Sequence, residues 1–230
     1  MKKNLGLIIL LSIIYTLIGC KSSDKFYQTT TATHFDGIDI SRHQGIINWK
    51  EVAKEERVKF VYIKATEGGT YQDPHYKRNL REARKKGLKV GSYHFLRTTS
   101  SIWLQFLNIM THIPPKKQDL VPMIDVEECK NWNAQQLQDS LSLLAKLIEK
   151  EYGKKPIIYT GQNFFIKRLN NEKITKYPLW IARYGDEPPC IDYPYTIWQF
   201  TQKGNLKGVS SKIDLNRFAP GVSLDILYVN

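Results

Sequence analysis

The sequence predicts an α/β fold: a single modified β/α barrel of about eight strands, with some outer helices missing in its second half. Short runs rich in β-branched and aromatic residues alternate with helical stretches along most of the chain, as in a parallel sheet with right-handed crossovers. About eight such runs fall within about 195 residues, which favours closure into a barrel over an open doubly wound sheet. No Gly-rich phosphate-binding loop follows the first run, which counts against a nucleotide-binding fold.

The elements follow in order. Gly37-Ile38-Asp39-Ile40 reads as the first strand and Trp49 to Glu56 as a helix. Phe60 to Ala65 is the second strand. Pro74 to Gly87 is helical, with Tyr76, Leu80 and Ala83 at helical spacing and Gly87 placed to end it. Lys89 to Phe95 is the third strand, Ser101 to Met110 a helix, and Val121 to Val126 the fourth strand. Gln135 to Tyr152 is a long helix stopped by Gly153. Four further strands are Pro156 to Thr160, Leu179 to Ala182, Thr196 to Phe200 and Ile213 to Leu215. Pro188, Pro189 and Pro194 leave little room for a helix between Ala182 and Thr196.

The N-terminus has a different character. Lys2 and Lys3 precede an apolar run from Leu5 to Ile18, the layout of an export signal, too short to span a bilayer comfortably. Leu17-Ile18-Gly19-Cys20 resembles the bacterial lipobox, in which the cysteine is acylated and becomes the new N-terminus. Residues 1–19 are therefore expected to be a lipoprotein signal peptide and Cys20 a lipid anchor to a membrane. Residues 20–33 are expected to be a flexible tether, and 34–230 the single folded domain. This layout places the protein in the cell envelope, on the periplasmic or surface side of a bacterial membrane.

The formal charge is +12, and +10 once Lys2 and Lys3 leave with the signal. A basic surface favours anionic partners such as lipid headgroups or wall polymers. Much of the charge, including Lys77, Arg78, Arg81, Arg84, Lys85 and Lys86, falls on one predicted helix and reads as a solvated face. Zinc-finger cysteine pairs and RNP-type aromatic motifs are absent, so nucleic acid is not an expected partner. Cys129 and Cys190 have no metal-ligand spacing; export permits a disulfide between them, and free thiols are the alternative. His43, His75, His94 and His112 show no ligand pairing, so neither a metal nor another cofactor is expected. Nothing in the pattern indicates a subunit interface, so a monomer is expected.

Functional residues of a parallel barrel gather at the C-terminal strand ends. Asp39, Glu67, the pair Asp125 and Glu127, and Asp214 are expected there. Residues two apart on a strand share a face, which puts the Cα atoms of Asp125 and Glu127 about 6.6 Å apart. Two carboxyls that near, entering an apolar barrel, cannot both ionise easily, so one should hold its proton near neutral pH. Glycosidic bond cleavage needs that arrangement: an acid for the leaving oxygen and a second group for the oxocarbenium-like centre. Tyr62, Tyr93, Tyr159, Trp180 and Trp198 sit on or near strand ends, where flat rings could face pyranose sugars or simply pack the core.

These blocks carry a resemblance to glycoside hydrolase family 25, the lysozymes or N-acetylmuramidases, from Phe35 to Phe218. Gly37 to Gly45 resembles the family's opening strand with its aspartate. Tyr62-Ile63-Lys64-Ala65-Thr66-Glu67-Gly68, followed by Tyr71 and Asp73, is similar to its second block. Tyr93-His94-Phe95 is similar to its third strand and Pro122-Met123-Ile124-Asp125-Val126-Glu127 to its Asp-x-Glu strand. Trp198-Gln199-Phe200-Thr201 and Asp214-Leu215-Asn216-Arg217-Phe218 resemble its closing blocks. The resemblance implies a retaining peptidoglycan hydrolase that cuts between N-acetylmuramic acid and N-acetylglucosamine. It implies Glu127 as general acid/base and Asp125 as nucleophile or orienter of the 2-acetamido group. Asp39 and Asp214 take positioning and electrostatic roles, and Glu67 joins the substrate contacts. A wall-binding module without catalysis, a chitinase-like hydrolase and a metal-dependent deacetylase are the other readings. The chain departs from the family at His43, at Asn48 and in Leu96 to Ser101, which bears on substrate preference.

Overall fold

The computed structural model describes residues 34–229. The expected signal, Cys20 and the expected tether lie outside the described residues. The strands are β1 (Gly37–Ile40), β2 (Phe60–Glu67), β3 (Tyr71–Gln72), β4 (Lys89–Phe95), β5 (Met123–Asp125), β6 (Ile157–Gly161), β7 (Leu179–Ala182), β8 (Ile197–Gly204) and β9 (Ile213–Phe218). All but β3 form a closed ring in the order β1-β9-β8-β7-β6-β5-β4-β2, sealed by pairing of β1 with β2. β3 is a two-residue addition folded back antiparallel on β2 after a turn at Gly68, whose φ of 53° favours glycine. It was not foreseen, because two residues carry no periodic signal.

The ring is not wholly parallel. β1, β2 and β4 to β8 run together, whereas β9 pairs antiparallel with both β8 and β1. The expectation of a parallel sheet throughout is corrected here. Parallel neighbours need a crossover, usually a helix, and the segment between Gly204 and Ile213 contains none, so the chain turns straight back.

The main helices are α1 (Trp49–Val52), α2 (Tyr76–Lys85), α3 (Ile102–His112) and α4 (Ala134–Tyr152). α4 starts in a capping box of Asn133 and Gln136 and ends at Gly153, whose φ of 66° closes it. α1 is shorter than its expected span, giving way to turns after Val52. On α2, Lys77, Arg81, Arg84 and Lys85 are exposed, so the basic run is a solvated face. After β6 only short helical segments follow, and among the described residues none lies between β7 and β8. The second half thus lacks outer helices.

Alternation along the strands builds two apolar layers. Ile38, Val61, Ile63, Ile124, Ile158 and Ile181 point outward against the helices. Phe60, Tyr62, Met123, Ile157, Trp180 and Ile197 fill the interior. Tyr62 fits only because position 91 is glycine: a Cβ there would stand 2.5 Å from the Tyr62 ring. Beyond this aromatic plug, at the end of the barrel where β1, β2 and β4 to β8 finish, polar side chains line the interior.

Candidate active site

Above the plug lies a cavity of about 200 Å³ lined by Asp39, Asp125, Glu127 and Asp214, with Tyr93, Met123, Tyr159, Tyr184, Gln199 and Gln202 completing its wall. The four acids named from the sequence as catalytic candidates therefore meet in one place. They arrive by three routes. Asp39 is the inward residue near the end of β1. Asp125 ends β5, while the backbone N–H of Val126 still donates to the Tyr159 carbonyl at 2.9 Å, and Glu127 then leaves the strand at the mouth. Asp214 is near the start of β9 rather than its end, and reaches the cavity because β9 runs the other way, directly opposite Asp39.

Electrostatics in the cavity are dominated by burial. Asp125, 6% exposed, is pushed well above the usual carboxylate range by desolvation and then by Glu127. Its Oδ1 is buried without a hydrogen-bond partner. Glu127 is also raised by desolvation, against the lowering effect of the Tyr159 hydroxyl and Lys64. Asp39 is pushed up to about 6 by burial, tempered by hydrogen bonds from Asn216 and Gln199. Asp214 is pushed up to about 8, by desolvation first and then by Asp39 and Glu127. Like charges directly across two strands repel, so once burial has raised both acids the pair resists ionising together.

Asp39 is held by a chain of side chains. Its Oδ2 accepts from Gln199 Nε2 at 3.0 Å and from Asn216 Nδ2 at 2.8 Å. The buried Trp180 indole N–H donates to Asn216 Oδ1 at 3.0 Å. Because indole can only donate, this contact fixes which end of the amide faces Asp39. Gln199 Oε1 in turn accepts from the hydroxyls of Tyr159 at 2.9 Å and Tyr184 at 3.2 Å. Gln199, Asn216, Gln202 and Tyr184 were not picked out as site residues from the sequence. Period-two spacing from Asp214 could have flagged Asn216; Tyr184 sits in an irregular loop with no such signal.

The other expected substrate contacts divide. Tyr93 and Tyr159 line the cavity. Tyr62 and Trp180 do not: both are fully buried in the plug, their rings 5.1 Å apart, with the Tyr62 hydroxyl donating to the Val121 carbonyl at 2.9 Å. Trp198 points away from the cavity, into the outer layer, and its indole N–H donates to the Arg183 carbonyl at 2.6 Å. These three are corrected to packing residues, since strand-end position fixes a face but not whether that face is open.

Glu67 is likewise outside the cavity lining. Its Oε2 meets Lys64 Nζ at 2.6 Å and its Oε1 meets Arg97 Nε at 2.7 Å. Burial works to raise Glu67, but these two cations win and hold it low. Its consequence for the site runs through Lys64, whose charge favours the ionised forms of Asp125 and Glu127. Arg97 also pairs with Glu128. The loop bearing Arg97 is held by Gln105, which accepts from the Arg97 N–H at 3.0 Å and donates to its carbonyl at 2.9 Å. Gln105 in turn meets His94, which is buried and lowered to about 4 by desolvation. The His94 Nδ1 lies 2.8 Å from the Thr66 hydroxyl and its Nε2 lies 3.0 Å from Gln105 Oε1.

Among the described residues, no three His, Cys, Asp or Glu side chains are placed to hold a metal ion. Cys129 is a free thiol that donates to the Trp132 carbonyl at 2.7 Å, so it is not joined to Cys190.

Carboxylates crowded at one end of a helix-wrapped barrel are the means of acid–base chemistry on glycosidic bonds. Comparison with known proteins agrees. Residues 38–209 match the family described as Glycosyl hydrolases family 25. The chain is 38% identical over 189 residues to the autolytic lysozyme of Clostridium acetobutylicum, covering 81% of this chain and 56% of that protein. It is 35% identical over 187 residues to YegX of Escherichia coli K12, covering 79% of this chain and 68% of YegX. The crystal structure of a lysozyme from Streptomyces coelicolor superposes with a TM-score of 0.76 at 27% identity, over 85% of this chain and 96% of that one. The chain belongs to glycosyl hydrolase family 25 and is a glycoside hydrolase.

Proposed function

We propose that the protein is a peptidoglycan hydrolase of the N-acetylmuramidase type, cleaving the β-1,4 bond between N-acetylmuramic acid and N-acetylglucosamine with retention. The observation that carries this reading is the cavity in which Glu127, at the open mouth, stands beside the deeper Asp125. Both are raised above the usual carboxylate range by desolvation, which favours a proton held on the pair. Glu127, nearer solvent, gives it to the leaving oxygen and then takes one from the incoming water. Asp125 offers its carboxylate to the N–H of the substrate's 2-acetamido group. That hydrogen bond favours the Asp125 carboxylate, shifts the shared proton toward Glu127, and turns the acetamido oxygen toward the anomeric carbon. Asp39 and Asp214 position the sugar and tune the field, and Tyr93 and Tyr159 offer ring edges and hydroxyls to it.

The test is digestion of peptidoglycan by the full chain, with mass spectrometry of the released fragments. Fragments ending in reducing muramic acid, lost with Glu127→Gln, are expected. Full activity in Glu127→Gln would remove it as the proton donor, and binding without any cleavage would make the protein a wall-binding module. An ester on Asp125 trapped during turnover would make that residue the nucleophile instead.

We further propose that the chain is exported and held in the bacterial envelope by acylation of Cys20, supported by the Lys2-Lys3 start and the Leu17-Ile18-Gly19-Cys20 sequence. A tethered enzyme of this kind works on glycan strands within reach of the membrane, as a monomer.

A further inference from the structure

The acid cavity does not end at its own wall. Tyr184 and Gln202 line it on one side and also line a larger groove of about 590 Å³. That groove exists because the second half of the barrel lacks its outer helices. Among the described residues no long helix follows β7, and the outward side chains Phe200 and Leu215, both largely buried, present only their edges to the groove as an apolar floor. Arg217 stacks over Phe200, its guanidinium carbon 4.0 Å from the ring centre, and holds that floor in place. The rim carries charges of both signs, Asp186 and Lys203, each exposed to solvent.

We propose that this groove on the outer wall of β8 and β9 binds the peptide arm of the substrate. The inference rests on the muramidase reading above. A muramic acid carries a peptide on the lactyl ether of its ring, and with the sugar among the four acids that arm must leave the cavity. Tyr184 and Gln202 mark an exit that opens into a groove with about three times the volume of the cavity. The lining suits a peptide with small apolar side chains and both kinds of charge. Phe200 and Leu215 meet the methyl groups, Lys203 a carboxylate, Asp186 an amine, and Gln202 the peptide amides. A further acetylated sugar of the glycan strand is uncharged and would draw nothing from Asp186 and Lys203, whereas a charged peptide would.

The experiment compares two substrates with the full chain in mild detergent: intact peptidoglycan, and the same glycan after an amidase has removed its peptides. The unaltered enzyme is expected to prefer the peptide-bearing strand in kcat/KM, mainly through a lower KM. Lys203→Glu, a change at an exposed side chain, should cut that preference by about tenfold, equivalent to about 1.4 kcal/mol of binding. Asp186→Lys should cut it too when the arm contains a free amine. Equal rates on both substrates without any substitution would overturn the proposal. So would variants that weaken both substrates alike, which would make the groove a sugar subsite. Cleavage of neither substrate would instead remove the muramidase reading, and this inference with it.

Discussion

Asp214→Asn isolates the energetic consequence of placing two aspartates across a strand pair. Asp214 has an ordinary value of 3.8 and is pushed up to about 8, by desolvation first and then by Asp39, which faces it in the β1–β9 register. Above pH 4 the unfolded chain has already lost this proton, whereas the folded chain keeps it until about pH 8. The folded state therefore binds more protons in that interval, and its stability falls as pH rises through it. An interval of about four pH units at about 1.4 kcal/mol each sets an upper bound of about 6 kcal/mol. Partial exposure and sharing of the proton with Asp39 reduce this to about 2–3 kcal/mol. Asparagine has nearly the same shape and does not titrate. Urea unfolding, followed by tryptophan fluorescence at intervals from pH 4 to 8, reads the difference directly. The two proteins should be of similar stability at pH 4, with the variant ahead by about 2–3 kcal/mol at pH 8. Parallel curves would refute the reasoning, because they would mean that Asp214 ionises in the folded state as readily as in the unfolded one.

Two further outcomes follow from other parts of the molecule. Trp180→Phe keeps the plug filled but removes the N–H that holds Asn216 Oδ1, leaving a buried acceptor unpaired at a cost of about 1–3 kcal/mol. The freed amide no longer has to turn Nδ2 toward Asp39, so Asp39 should titrate above its present value of about 6. Carboxyl-carbon NMR checks this, and an unmoved Asp39 titration would show that Trp180 only packs. At the N-terminus, Cys20→Ala should abolish labelling by a fatty-acid analogue and release the protein from membranes. Persistent membrane association without label would point to an uncleaved anchor helix.

Most of the barrel was legible because its strands are short β-rich runs between clear helix signals. Gly37 to Ile40, Lys89 to Phe95 and Leu179 to Ala182 coincide with their strands to the residue. The acids were legible for a related reason: a carboxylate in an otherwise apolar strand is costly unless it is used. Tyr62, Trp180 and Trp198 were misread because a ring at a strand end can close the barrel's floor, pack under a helix or face a ligand. Sequence spacing is the same in all three.

From the sequence by itself came the alternation of elements, the number of strands, the loss of helices after Ala182 and the identity of the four acids. Only the tertiary structure decided that β9 runs antiparallel, which sets Asp214 against Asp39 and brings Asn216 and Gln199 to the same carboxylate. It alone decided that a groove along β8 and β9 meets the acid cavity at Tyr184 and Gln202. The physical reason is one of range. Propensity, periodicity and capping act over a few residues and are written locally. Strand direction, cavity and field arise from residues far apart in the chain, as Asn216 is from Asp39 at 177 positions, and exist only once the ring has closed.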